Sequence, residues 1–174
     1  MNWIKKIIFF LFKPKKQFWS YWEWTIIHFL NWFNNPQNIY IWENSFIYYG
    51  NTFFAWNYKI KIWNGCHIAM NNLFITYSHD FNAPDIKSIP YDKRYTWWDI
   101  NIGDGTWIGT RCTILPWVTI WKWCVVAAWA VVAKDIPDYE VWWWNPAKKI
   151  SERKNIELFK KLYKEEKYRR KLDQ

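Results

Sequence analysis

Few side chains in this chain can act as a base or a nucleophile near neutral pH: three histidines, His28, His67 and His79, and three cysteines, Cys66, Cys112 and Cys124. His79 stands in the stretch ITYSHDFNAPD, beside Asp80. A neutral imidazole titrates near working pH, so it can take the proton of a hydroxyl as that oxygen attacks an electrophile. Asp80 can orient the ring or point to solvent. The cysteines are odd in number and form no C-x-x-C pair, which speaks against a disulfide framework or a zinc ribbon and fits a reducing, cytoplasmic setting.

Such a histidine acts only if the chain holds it in place, and the positioning elements repeat with a period of six. Ile102, Ile108, Ile114, Ile120, Val126 and Val132 follow one another at that unbroken spacing, and Ile41, Ile47, Phe53 and Ile62, Ile68, Phe74 repeat it earlier. Four residues after the aliphatic comes a small or modest one: Ser45, Cys66, Thr106, Cys112, Val118, Cys124 or Ala130. A six-residue unit is too short for a helical repeat and lacks the alternation of an ordinary strand. It suits a triangular solenoid, an all-β fold in which three short strands make one coil and stacked coils pair in parallel. The aliphatics then point inward and the small residues fit the corners, which makes the cysteines core fillers. The repeat stops after Phe74 and resumes at Ile102, and an excursion of this length is expected to be functional.

The net charge of +9 sits at the ends: five lysines lie between Lys5 and Lys16, and eleven basic against five acidic residues follow from Lys148. A nucleic-acid reader carries its basic residues across a folded face, so no nucleic-acid partner is expected. Peripheral contact with an anionic membrane and a plainly solvated helix both fit. Ile7 to Phe12 is too short for a spanning helix and is expected to dip into a lipid interface or pack on its own domain. Ile156, Phe159, Leu162 and Tyr163 have helical spacing. The chain thus divides into a basic and apolar segment (1–20), a repeat domain (21–150) and an amphipathic helix (151–174).

Over about Tyr21 to Ile150 the repeat resembles the hexapeptide-repeat acyltransferases, a left-handed parallel β-helix family that includes maltose, galactoside and polysaccharide O-acetyltransferases. The likeness is carried by NPQNIYI (Asn35–Ile41), SHDF (Ser78–Phe81), IGDGTWIG (Ile102–Gly109), VVAKDIP (Val131–Pro137) and NPAKKI (Asn145–Ile150). It implies transfer from acetyl-CoA to a hydroxyl of a sugar or polysaccharide precursor, free or lipid-linked, with His79 as general base and direct transfer in a ternary complex. It places Asn71, Asn72, Asp80 and Trp107 on the acceptor side. Ala127, Ala128 and Trp129 would meet the pantetheine arm, and Lys134, Lys148 and Lys149 the phosphates. A homotrimer follows from the same resemblance, and a membrane-facing enzyme would sit at the inner face. The fold also serves noncatalytic scaffolds and a metalloenzyme of γ-carbonic-anhydrase type with three histidine ligands. In this chain His67 and His79 are twelve residues apart and the H-x-x-x-x-H pair is missing, so no metal is expected.

The departure from the family lies in tryptophan. Where the pattern has glycine, this chain has Trp22, Trp24, Trp42, Trp63, Trp98, Trp117, Trp121, Trp123, Trp129, Trp143 and Trp144. Such corners often need φ > 0, which costs a bulky residue about 1–2 kcal/mol each, so eleven penalties would rival the about 5–15 kcal/mol that holds a domain together. Five glycines are about 3% of the chain, where about 7% is usual. We hypothesise that a gene using UGA for glycine has been read with a code in which UGA means tryptophan; the alternative is an engineered or drifted, inactive solenoid. The gene is then expected to carry UGA at Trp117, Trp121 and Trp123 and UGG at Trp107, where the family itself has tryptophan. Sequencing that finds UGG at the first three would refute the misreading.

Overall fold

Inward aliphatics at every sixth position require a chain that turns a corner after each of them, and it does. The computed structural model describes residues 25–167. The segment 1–20, Trp22 and Trp24 lie outside the described residues. Strands of two or three residues wind into a left-handed parallel β-helix of triangular section. The first face holds Ile26–Ile27, Phe46–Ile47, His67–Ile68, Trp107–Ile108 and Val125–Val126. The second holds Trp32–Asn34, Thr52–Phe54, Leu73–Ile75, Thr113–Ile114 and Val131–Val132. The third holds Ile39–Ile41, Ile60–Ile62, Ile100–Ile102 and Thr119–Ile120, closed by a bridge from Ile120 to Ile136.

Register on all three faces is set by the residues of the six-residue period. Ile41, Ile62, Ile102 and Ile120 stack in one column. Ile47, Ile68, Ile108 and Val126 form the second column, and Phe53, Phe74, Ile114 and Val132 the third. All twelve are buried, and each full burial of such a side chain contributes about 1.5–3 kcal/mol. Phe33, Phe53 and Phe74 stack face to face, with centroids 4.9 and 4.7 Å apart.

The corners hold more chemistry than space filling. Before the first face the small residue donates to a carbonyl of the coil above: Thr25 to Trp42 (2.9 Å), Ser45 to Trp63 (2.9 Å), Cys66 to Gly103 (3.2 Å), Thr106 to Trp121 (2.9 Å) and Cys124 to Pro137 (2.9 Å). Before the second face the equivalent position is asparagine in the first three coils, then Cys112 and Ala130. The Oδ1 atoms of Asn31, Asn51 and Asn72 accept the backbone N–H groups of Asn51 (2.8 Å), Asn72 (2.9 Å) and Cys112 (2.7 Å), and each Nδ2 donates three residues back. Backbone groups facing the interior are thereby satisfied without water. The cysteines are buried, and burial pushes the thiol of Cys112 up to about 11 and that of Cys124 to about 12, and raises that of Cys66 as well.

The tryptophans divide into two kinds, which corrects the expectation of a penalty at every one. Of the substituted positions within the described residues, Trp117 (φ 67°), Trp123 (56°), Trp129 (68°) and Trp144 (91°) have left-handed backbone, as does Trp56 (29°). Trp42, Trp63, Trp98, Trp121 and Trp143 do not. Only part of a corner turns left-handed; elsewhere glycine serves close approach, as at Gly103, where a Cβ would come within 2.8 Å of Trp121 backbone. Trp42 and Trp63 instead stack at 4.5 Å.

Two further elements leave the prism. Tyr77–His79 and Tyr95–Trp97 form an antiparallel hairpin inside the excursion, between the second and third faces of the third coil. At the C-terminal end, Lys148–Glu152 folds back antiparallel on Glu140–Trp143. The helix spans Ile156–Lys164 and does not begin at residue 151, because backbone pairing carries the strand through Glu152. Phe159 and Tyr163 pack edge-on against Trp123.

Two substitutions separate these corner roles. Trp129→Gly removes an exposed ring from a left-handed site and is expected to stabilise the fold by about 1 kcal/mol, seen as a higher thermal midpoint. Asn72→Ala leaves the Cys112 N–H and Ala69 carbonyl unpaired and is expected to lower stability by about 2 kcal/mol in denaturant titration. The reverse order of the two midpoints would show the corner argument to be wrong.

Candidate functional site

His79 ends the first strand of the hairpin, directly opposite Tyr95. Its ring lies against Tyr91 at 3.7 Å, nearly parallel, and against Tyr95 at 4.3 Å. Nδ1 of His79 is buried without a hydrogen-bond partner. An orphaned polar atom of this kind costs about 1–3 kcal/mol unless something pairs with it. The backbone N–H of Asp80 donates to the Arg94 carbonyl at 3.1 Å, which ties the residue beside the histidine to the opposite strand.

The other expected residues fall at several places. Asn71 is exposed and left-handed (φ 58°), at the corner between the first and second faces. Asn72 is 1% exposed, with its carboxamide engaged in the asparagine ladder. The amide closes the corner. Trp107 projects from the first face, 48% exposed, between His67 below and Val125 above. It therefore lies on a different face from the root of the hairpin that carries His79, and one copy of the chain does not unite the two by topology.

Ala127, Ala128 and Trp129 turn the corner between the first and second faces in the fifth coil. The Ala127 N–H donates to the Trp142 carbonyl (2.8 Å), the Ala128 carbonyl accepts from the Trp143 indole (3.1 Å), and Arg111 covers the Trp129 ring at 4.8 Å. The hairpin leaves from one edge of the second face and this corner runs along the other. Lys134 lies over the Trp142 ring at 5.2 Å. Lys149 is held by Glu140 (2.9 Å) and Glu152 (2.8 Å), whose hydrogen bonds, Glu152 foremost, raise its pKa. These ion pairs give Lys149 two carboxylate partners within the chain. Lys148 is exposed on the same strand.

A groove on the third face lies between Trp63 and Trp121, with Gly103, Asn101, Thr119, Asp104 and Lys122 around it. Among the described residues no group of three or more His, Cys, Asp or Glu side chains is placed to hold a metal ion, and no helix is long and apolar enough to cross a membrane. Sequence reasoning passed over Tyr91, Arg94 and Tyr95. The run YDKRYTWW offered a signal, since aromatic and charged residues crowd there opposite the histidine.

Residues 99–134 match the family model described as bacterial transferase hexapeptide (six repeats). No curated protein matches the chain. A maltose O-acetyltransferase from Clostridium difficile 630 is 27% identical, covering 72% of this chain and 64% of its own, with a TM-score of 0.60. A galactoside acetyltransferase in complex with coenzyme A is 27% identical over 76% of this chain and 64% of its own, with a TM-score of 0.67. An N-acyltransferase from Bacillus cereus, in complex with dTDP and 3-hydroxybutyryl-CoA, shares the fold over 94% of this chain and 95% of its own, at 19% identity and a TM-score of 0.70. The chain thus spans just under two thirds of the length of the maltose and galactoside enzymes.

Proposed function

We propose, from the transferase hexapeptide repeat that the chain carries at residues 99–134, that it moves an acetyl group from acetyl-CoA to a hydroxyl of a sugar or polysaccharide precursor. The observation that carries this reading is the placement of His79, on a hairpin at the break in the solenoid, with a buried nitrogen that no group of the chain satisfies. In this reading the imidazole takes the proton of the acceptor hydroxyl as its oxygen attacks the thioester carbonyl carbon. The carbon–sulfur bond breaks, and the coenzyme A thiolate leaves with the proton returned from the imidazolium. No covalent enzyme intermediate is needed, and the buried thiols of Cys66, Cys112 and Cys124 take no part.

Coenzyme A would lie along the corner of Ala127, Ala128 and Trp129, with Lys134 and Lys148 toward its phosphates. Glycine at Trp129 would bring the backbone within closer reach of the pantetheine arm. Asn71 and Asp80 border the acceptor, and Trp107 would reach it from a neighbouring copy in a homotrimer. The basic termini would allow contact with an anionic membrane and so with a lipid-linked acceptor.

The test is turnover of His79→Ala, followed by release of free coenzyme A thiol across a panel of sugar acceptors. The expected result is a fall in kcat of about 100-fold or more, with unchanged acetyl-CoA affinity by calorimetry and a cooperative thermal transition retained. Undiminished turnover would remove the histidine from the chemistry, and failure to bind acetyl-CoA would leave a noncatalytic solenoid.

A further inference from the structure

A general base is effective only when its ring is held in one orientation relative to the hydroxyl it serves. His79 receives no hydrogen bond at Nδ1 from the chain, so its orientation comes from the aromatic rings of Tyr91 and Tyr95 packed against it. Those two rings belong to a segment without regular structure, residues 80–94, and to the strand that follows it. Something must therefore fix that segment.

Arg94, its last residue, does so. Its Nε donates to both oxygens of Asp92 (3.0 and 2.9 Å), and Nη2 donates to Oδ2 at 2.7 Å. The same carboxylate accepts the backbone N–H of Arg94 (2.9 Å) and that of Lys87 (3.3 Å). Nη1 reaches on to Asp85. Asp92 is only 11% exposed at its side chain, whereas Asp85 is 68% exposed, so the Asp92 fork is the stronger half. The clamp thus joins residues 85, 87, 92 and 94, with Tyr91 inside the closed loop, its carbonyl accepting from Ser88 Oγ at 2.9 Å. The Arg94 carbonyl accepts from the N–H of Asp80, which connects the clamp to the residue next to His79.

We infer that Arg94 is a positioning residue for His79, holding Tyr91 and Tyr95 against the imidazole through the Asp92 carboxylate. This rests on the acyl-transfer reading above. The bond to Arg94 keeps the Asp92 carboxyl well below the ordinary carboxylate range, so the clamp stays charged at any pH where the histidine works. Lysine cannot replace the planar fork, because it offers a point charge in place of several fixed donors. Only the ring of Tyr91 is required, not its hydroxyl.

The experiment is a double-mutant cycle on the full chain with acetyl-CoA and an active acceptor. Arg94→Ala is expected to lower kcat about ten-fold, with KM for acetyl-CoA changed less than about two-fold, and Arg94→Lys to behave alike. Tyr91→Phe is expected to stay active and Tyr91→Ala to match Arg94→Ala. In the His79→Ala background, Arg94→Ala is expected to change residual turnover no further, because no base remains to be positioned. A loss of equal size in both backgrounds, or no loss in either, would overturn the inference while leaving the acyl-transfer reading intact. If His79→Ala alone costs no turnover, that reading falls and the inference falls with it.

Discussion

Everything in this molecule depends on the stacking of inward side chains in register from coil to coil. The columns of Ile41, Ile62, Ile102 and Ile120 and their counterparts on the other faces leave no freedom to slip. A shift by one residue along any strand would turn its aliphatic outward and a polar neighbour inward. Because each coil touches only the coils above and below it, register passes along the prism by contact. A site built on one coil therefore inherits the geometry of its neighbours.

The corners answer a second constraint. A chain that turns every six residues brings backbone N–H and C=O groups to the rim of a dry interior, where water cannot reach them. Two ladders, one of hydroxyls and thiols, the other of asparagine amides and a thiol, satisfy many of these groups. The same corners demand left-handed backbone at one residue. Asparagine at Asn44 and Asn71 and glycine at Gly50, Gly65 and Gly105 meet that demand cheaply. Tryptophan at Trp117, Trp123, Trp129 and Trp144 meets it against its preference, and the side chains then lie on the surface or, for Trp123, against the terminal helix.

Aromatic and charged side chains gather where the repeat is interrupted. The regular prism exposes short strands and tight corners. The excursion supplies a hairpin whose histidine is braced by tyrosines, and whose tyrosines are in turn braced by an arginine and its carboxylates. Rigid coils below and an ion-paired loop above divide the work: the first sets where the hairpin starts, the second how its side chains lie.

The sequence by itself determined the solenoid, the inward columns and the location of the excursion, because a spacing of six is a local property that survives without knowledge of any neighbour. It also marked the cysteines as buried fillers and singled out His79 as the histidine of the excursion. Only the tertiary structure decided which corner residues turn left-handed, that the Asn72 amide closes a corner, and that Glu140 and Glu152 hold Lys149. The start of the helix, the separation of Trp107 from the root of the His79 hairpin, the packing of Tyr91 and Tyr95 against His79 and the pairing of Arg94 with Asp92 were likewise decided there. Each of these depends on partners that lie a coil or a loop away along the chain, and such pairings leave no periodic trace.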